Sequence, residues 1–392
     1  MKHTLSGWLC ANRNRGRAVL GILMYSVYIP VPVLTSDLAG VFYQTSRMAM
    51  QSSWLSRFWF ARYDFCCYVA KYIAEYLFME KIVFLDSASI IADIRRPAFD
   101  HHWQAYPATA VGQTVERLRD ATIAITNKVK LDRETLEQLP GLKMVAVAAT
   151  GTDNVDSGYC RERGIAVSNI RNYSVHTVPE HVFMLMLALR RNLLAFHSDV
   201  LGGAWQKSTQ FCLFTHPVRD LHDATLGIVG HGAIGRAVQQ IALAFGMKVL
   251  LAEHKGVAAV RPGYTAFDTV LRASDVITLH LPLNAQTRHL IGAAELERMQ
   301  PGALLINTAR GGLVDEAALL NALQSGHIGA GFDVLEKEPP AAGHPLLELN
   351  LPNFILTPHI AWSGRAAMQT LADQLIDNIE AWAAGTPQNR VA

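Results

Sequence analysis

An apolar run that ends in G-x-G-x-x-G and continues into a helical pattern leaves few folds open. In Ala224-Thr-Leu-Gly-Ile-Val-Gly230-His231-Gly232-Ala233-Ile234-Gly235 a strand has to turn sharply into a helix. Gly230 permits the tight turn, Gly232 lets backbone approach a pyrophosphate, and Gly235 lets helix and strand pack closely. The helix start then offers unbonded N–H groups and the positive end of its dipole to phosphate. Eighteen residues past Gly235, Glu253 closes the run Val249-Leu-Leu-Ala-Glu253. An acidic side chain there grips the adenosine ribose hydroxyls and repels a 2′-phosphate, so the pattern predicts NAD(H) over NADP(H). His254 and Lys255, next in the chain, are the groups that would soften that repulsion.

From Met79 onward, short β-branched runs alternate with longer helical patterns, which predicts parallel sheets covered by helices. Strands are expected at 81–85, 122–126, 143–148 and 165–168, followed by a long helix over 177–194. A second series of strands is expected at 225–229, 248–252, 275–280, 302–307, 329–334 and 354–357, with helices at 233–245, 266–272, 293–298 and 315–325. Two such series predict an α/β protein of two doubly wound domains. One is a flavodoxin-like substrate domain, 79–176 with 362–392; the other is a Rossmann-like NAD-binding domain, 177–361. The Gly-, Thr-, His- and Pro-containing stretch 202–224 reads as a long loop or arm. The amphipathic stretch 364–384 reads as a last helix that packs back on the first domain.

The chain has 392 residues, 50% hydrophobic and 17% charged, enough for a large core and too apolar for a wholly disordered protein. Its formal net charge of +2 gives no reason to expect nucleic acid. Five Cys without a C-x-x-C pair signal neither a disulfide framework nor a zinc site, and His101-His102 and His176 with His181 form no coherent ligand set. No metal is expected, and a reducing, cytoplasmic compartment is the plain reading. Residues 1–78 differ from the rest. They hold eight Lys/Arg against three Asp/Glu, and an apolar run from Ala18 to Leu34 that follows Arg13, Arg15 and Arg17. That order suits a signal or anchor, but Pro30 and Pro32 interrupt a run already short of the ~20 residues needed to span a bilayer. Targeting or membrane attachment, a loosely ordered extension, and upstream sequence read in from a mis-set start remain open; on each, 1–78 is an extension outside the fold.

Three expected strand ends carry reactive groups: Asn307-Thr308-Ala309-Arg310, Asp333-Val-Leu-Glu336-Lys-Glu338-Pro339, and Thr357-Pro-His359-Ile-Ala-Trp362. In an open parallel sheet, ligands bind beyond the carboxyl ends of strands. An Arg, a carboxylate and a His converging beside a nicotinamide are what hydride transfer to a 2-keto acid needs. Arg holds a planar oxygen pair by two parallel bonds, and His delivers the proton while a carboxylate keeps it charged.

Together, Gly230–Gly235, Asn307-Thr-Ala-Arg310-Gly, Asp333-x4-Glu338-Pro and Pro358-His359 resemble the D-isomer-specific 2-hydroxyacid dehydrogenases, in order and spacing over essentially all of 79–392. The resemblance implies that Arg310 binds substrate and polarises its carbonyl, that Glu338 pairs with His359, and that His359 is the acid/base. It implies that the loop Thr150-Gly151-Thr152-Asp153-Asn154 holds the substrate carboxylate through backbone N–H groups. It places Thr177, His231, Ala233, Ile234, Leu281, Pro282, Leu283, Thr308, Ala309 and Asp333 along the dinucleotide, and makes the 202–224 arm with its preceding helix a homodimer interface. The segment His359-Ile-Ala-Trp362-Ser363 resembles the glycerate dehydrogenase (hydroxypyruvate reductase) branch, with Trp362 either shaping a small polar pocket or packing in the core. Glu338 sets the chain apart from formate dehydrogenases, which carry Gln there, and an end at Ala392 from the longer phosphoglycerate dehydrogenases. The alternatives are an NAD-sensing, corepressor-like binding protein on the same fold, or a dehydrogenase acting on glyoxylate or another small keto acid.

Overall fold

The computed structural model describes residues 79–392, so the readings made of 1–78 lie outside the described residues. The first sheet is built from β1 (Glu80–Phe84), β2 (His101–Ala105), β3 (Ile123–Thr126), β4 (Met144–Val147) and β5 (Ala166–Ser168). All its pairings are parallel and its order is β2-β1-β3-β4-β5, the flavodoxin-like arrangement. Short helices α1 (Thr114–Leu118), α2 (Arg133–Glu137) and α3 (Ser157–Arg163) connect these strands. Asp132 and Asp156 cap the latter two by accepting from the Thr135 and Tyr159 amides, which satisfies N–H groups that helix geometry leaves open.

Strand β2 was absent from the expected set. His-His-Trp-Gln-Ala carries no β-branched residue and no alternation, and its place is set by in-register pairing of Glu80–Phe84 with His101–Ala105 at the sheet edge. The single long helix expected over 177–194 is two helices, α4 (Thr177–Arg190) and α5 (Leu193–Leu201). Between them Asn192 takes the left-handed conformation, φ 50°, and its Nδ2 donates to the Pro217 carbonyl at 2.6 Å. Asn tolerates that conformation better than most residues, so the apolar periodicity runs through a break it cannot reveal.

The second sheet comprises β6 (Thr225–Val229), β7 (Lys248–Leu251), β8 (Val276–Leu279), β9 (Leu304–Asn307), β10 (Gly329–Phe332) and β11 (Phe354–Leu356). It is parallel in the order β11-β10-β9-β8-β6-β7. Outside β7, Thr265 makes a single parallel bridge to Ala252, where the third strand of a dinucleotide-binding sheet belongs. The order reverses between β6 and β8, which opens the crevice where such sheets hold their ligands. Helices α6 (Ala233–Ala244), α7 (Phe267–Ala273), α8 (Ala293–Arg298) and α9 (Glu316–Gln324) cover it. The last helix, α10 (Arg365–Ala383), buries Leu371, Leu375, Ile376 and Ile379 against Ile82, Phe84, Ile123, Ile125 and Met144 of the first sheet, so the chain returns to where it began.

Candidate active site

The glycine turn after β6 is as tight as its sequence requires. Gly230 has φ +99°, and a Cβ there would meet the His280 carbonyl oxygen at 2.5 Å; a Cβ on Gly235 would overlap the Gly230 carbonyl. At Gly232, by contrast, nothing lies within 4 Å of a Cβ position, which leaves room above the start of α6. Ala233 and Ile234 open that helix, where first-turn N–H groups have no carbonyl to bond. The His231 ring pairs with Gln239 at 2.7 Å, and the Leu281 side chain packs by Gly230, with Pro282 and Leu283 following. After β9 the Thr308 hydroxyl is buried without a partner among the described residues. An open cradle at a helix N-terminus and a buried, unsatisfied hydroxyl directly after β9 fit a dinucleotide, which the residues Gly230–Ile234 and Thr308 would hold. Thr177 opens α4 with its hydroxyl on the Ala361 carbonyl at 3.3 Å.

Glu253 differs from the free carboxylate anticipated at the ribose. It is 3% exposed, and both its oxygens are taken. Arg261 donates Nε to Oε2 at 2.7 Å and Nη2 to Oε1 at 2.8 Å, while the His254 and Arg261 amides donate at 2.8 and 3.0 Å. The Arg261 hydrogen bond, with the two amides, pulls this carboxyl down to about 2 despite burial. Lys255, anticipated as a softening charge, is diverted to Glu295 at 3.1 Å and the Leu290 carbonyl at 3.2 Å.

Three strand ends meet as anticipated. The cleft of about 270 Å³ beyond the second sheet is lined by Arg310, Glu338, His359, Asp153 and Leu283, among others. The His359 Nδ1 lies 2.5 Å from Glu338 Oε2, and the other carboxylate oxygen accepts from the Leu335 amide at 2.8 Å. Burial works against the Glu338 charge, yet the bonds from His359 and Leu335 and the charges of His359 and Lys128 hold its carboxyl below the usual range. His359 sits in the left-handed region at φ 55°, a strain of about 1–3 kcal/mol for such a residue. Asp333, 1% exposed, is what holds the turn: its carboxylate accepts from Ile360 N at 2.9 Å, Ala361 N at 2.7 Å and the Thr357 hydroxyl at 2.5 Å. The His359 amide donates to the Asp333 carbonyl at 2.8 Å. Asp333 therefore acts on the histidine turn, a role its place in the sequence did not suggest. His181 backs the same carboxylate, 2.9 Å from Thr357 Oγ1, with burial pushing its imidazole toward the neutral form.

Arg310 is aimed in the same manner. Buried Asn307 accepts from Ala309 N at 3.1 Å and donates to the Arg310 carbonyl at 2.9 Å, fixing the turn 308–310. The guanidinium reaches Asp153 Oδ2 at 3.2 Å and lies so close over Gly151 that a Cβ there would overlap it. In the loop 150–154, the Thr150 hydroxyl donates to the Ile170 carbonyl at 2.8 Å, while the amides of Gly151 and Thr152 bond to nothing among the described residues. Free amides beside a guanidinium suit a carboxylate.

Two further residues near Arg310 escaped the sequence reading. Lys128 follows β3, and its amide donates to Asp86 at 2.6 Å; burial and then the Arg310 charge push its ammonium down, against the pull of Glu338, Asp153 and Asp86. Its position at the carboxyl end of a strand was the available signal. Tyr173 meets Trp362 edge-on at 6.4 Å, and burial pushes its phenol up to about 12, with Arg310 opposing. Trp362 itself is partly buried against the cores of both sheets, which is the packing side of its expected alternatives.

A dinucleotide cradle at a topological switch point, opening on an Arg, a paired carboxylate and a His, defines an NAD-dependent oxidoreductase. Residues 183–361 match the D-isomer specific 2-hydroxyacid dehydrogenase, NAD binding domain. The chain is 52% identical over 314 residues, 80% of its length and 99% of the relative's, to a glycerate dehydrogenase of Methylorubrum extorquens. It is 35% identical to a hydroxypyruvate reductase of Blautia hydrogenotrophica over 72% of this chain and 88% of that one. Among solved structures it resembles a D-lactate dehydrogenase from Aquifex aeolicus complexed with NAD and lactic acid, with a TM-score of 0.66 at 29% identity, covering 78% of this chain and 96% of that one. The chain belongs to the D-isomer-specific 2-hydroxyacid dehydrogenases. Among the described residues no helix is long and apolar enough to cross a membrane.

Proposed function

We propose that the chain is a glycerate dehydrogenase (hydroxypyruvate reductase) that interconverts hydroxypyruvate and D-glycerate. The 2.5 Å contact between His359 and Glu338, at the mouth of a cleft that also holds Arg310, carries this reading. A dinucleotide held by the cradle Gly230–Ile234 and Thr308 would supply the hydride as NADH. Arg310 holds the keto acid through its carboxylate and polarises the C2 carbonyl, and the free amides of Gly151 and Thr152 complete the carboxylate's bonds. His359 gives its proton to the C2 oxygen as it becomes a hydroxyl, and takes it back in the reverse direction; Glu338 stabilises the charged imidazole between the two. Thr177, Leu281, Pro282, Ala309 and the cradle residues line the dinucleotide. The 52% identity to a glycerate dehydrogenase favours hydroxypyruvate as the substrate.

In this reading 79–176 with 362–392 forms the substrate domain and 177–361 the NAD-binding domain. The chain works as a homodimer through α5 and the arm. That surface leaves Leu193, Leu194, Leu201, Trp205, Phe211 and Phe214 more than half exposed, an apolar patch that a second copy would cover. The free thiols Cys160 and Cys212 accord with a cytoplasmic setting. NADH oxidation measured over hydroxypyruvate, glyoxylate, pyruvate and phenylpyruvate tests the substrate: kcat/KM is expected to be highest for hydroxypyruvate. Preference for glyoxylate would move the chain to that branch, and NADH binding without turnover on any of the four would leave only a nucleotide-sensing role.

A further inference from the structure

The turn that presents His359 is tied to a helix as well as to its own sheet. Asp333 accepts from the Thr357 hydroxyl and from the Ile360 and Ala361 amides, all of which belong to the segment it closes. Such bonds hold the shape of the segment, whereas its seat in the molecule has to come from another element. Helix α4 supplies that seat. Thr177, His181, Leu185 and Leu189 follow one another at four-residue spacing, so they share one face of the helix. At the far end of that face α4 presses on β10 where the strand has no side chain: a Cβ on Gly331 would meet Leu185 Cβ at 3.0 Å and Leu189 Cδ1 at 3.2 Å. At the near end the two polar members reach the histidine turn. The Thr177 hydroxyl donates to the Ala361 carbonyl at 3.3 Å, and His181 Nε2 lies 2.9 Å from Thr357 Oγ1 and 3.6 Å from Asp333 Oδ1.

Counting protons gives these bonds their direction. The Thr357 hydroxyl has one, and its neighbours Asp333 Oδ1 at 2.5 Å and the Phe332 carbonyl at 3.3 Å can only accept it. Its oxygen is therefore an acceptor toward His181, and that ring must carry a proton on Nε2. Burial pushes the imidazole toward its neutral form, against the pull of Asp333, which leaves Nδ1 without a proton. We propose that His181, as the Nε2–H tautomer, is a positioning residue for His359: it donates to Thr357, whose hydroxyl donates to Asp333, and this chain fixes the carboxylate that holds His359 at positive φ; the assignment rests on the acid/base role proposed for His359. His181 transfers no proton itself. Its part is to keep Asp333 aimed at the Ile360 and Ala361 amides from a helix seated on the sheet.

His181→Leu keeps much of the bulk and removes the donor, whereas His181→Gln puts an N–H back at the position of Nε2. In the reduction of hydroxypyruvate by NADH, His181→Leu is expected to lower kcat by about 10-fold or more, the scale of one buried hydrogen bond. KM and the NADH dissociation constant should change by less than about 3-fold, because other bonds hold Arg310 and the cradle. His181→Gln should recover kcat to within about 3-fold of the wild type. His181→Asn, whose amide stops short of Thr357, is measured beside them and should lose kcat as His181→Leu does without placing an apolar group there. Thr357→Val cuts the chain at its middle, so the double variant His181→Leu/Thr357→Val should lose no more kcat than Thr357→Val alone. The proposal is overturned if both His181→Leu and His181→Asn keep their kcat, if His181→Gln does not restore it, if KM and NADH binding worsen along with kcat, or if the losses of the two single variants multiply in the double. A wild type that reduces none of the keto acids would overturn the proposed function and this positioning role together; a wild type that turns over no faster than His181→Leu overturns the positioning role alone.

Discussion

Each side chain proposed to act in the cleft is held by a neighbour whose own role is positional. Glu338 is ionised because two donors reach it, His359 from the cleft and the Leu335 amide from its own loop. Replacing it by Gln keeps the shape and one hydrogen bond but removes the charge that stabilises imidazolium. We expect Glu338→Gln to lower kcat for keto-acid reduction by about 100-fold with NADH affinity unchanged. Stopped-flow or steady-state rates check this; equal rates for the two proteins would remove Glu338 from the proton path. A second histidine sets an acid limit to stability. Burial holds His280 down at about 4, with Nε2 on the Thr278 hydroxyl at 3.0 Å. The unfolded imidazole titrates near ~6.5, so between that pH and about 4 the unfolded chain binds the extra proton and stability falls with pH, by up to about 3 kcal/mol. Urea midpoints at pH 7 and 4.5 should differ less in His280→Asn than in the wild type; an unchanged difference would show that His280 accepts its proton in the folded state.

At the level of elements, the site is a set of strand ends joined by turns that cannot relax. The turn after β11 is the tightest, because it carries a non-glycine residue at positive φ and is closed by one buried carboxylate. Asp333→Asn preserves volume but turns an amide N–H₂ toward backbone N–H groups that need an acceptor. The variant should lose about 1.5–3 kcal/mol of stability and most of its kcat, with a smaller change in KM, since His359 is released while Arg310 stays fixed by Asn307. Thermal unfolding and steady-state kinetics together test it, and a variant that unfolds earlier but keeps its kcat would separate the turn from catalysis. The turn after β9 has its own constraint: a Cβ on Gly311 would overlap the backbone at Leu335 and Glu336, so the Arg310 and Glu338 loops are packed against each other through glycine.

For the molecule as a whole, 79–392 forms a compact unit by itself. Both sheets, α10 and every residue assigned to the cradle or cleft belong to 79–392. A protein consisting of 79–392 should therefore fold and retain kcat/KM within about 3-fold of the full chain. An insoluble product, or one that binds NADH without reducing any keto acid, would make 1–78 part of the working enzyme.

Local signals were enough for the alternating parallel architecture, for the glycine cradle, and for Arg310, Glu338 and His359, because each depends on residue type at fixed spacing beside a strand end. Gly235 is dictated by a collision with the Gly230 carbonyl five residues away and Gly230 by its own positive φ, so both are visible in one dimension. Contacts made across the fold were not visible. Strand β2 forms because β1 offers an edge, not because His101–Ala105 prefers to be extended. Asp333 closes the histidine turn through amides 27 and 28 residues away. Arg261 lies eight residues from Glu253 in a loop without pattern, and only the folding of that loop over β7 turns an expected ribose ligand into the buried half of an ion pair. The backbone's preferences are local and can be read along the chain, whereas a side chain's charge state and partner depend on what the fold brings beside it.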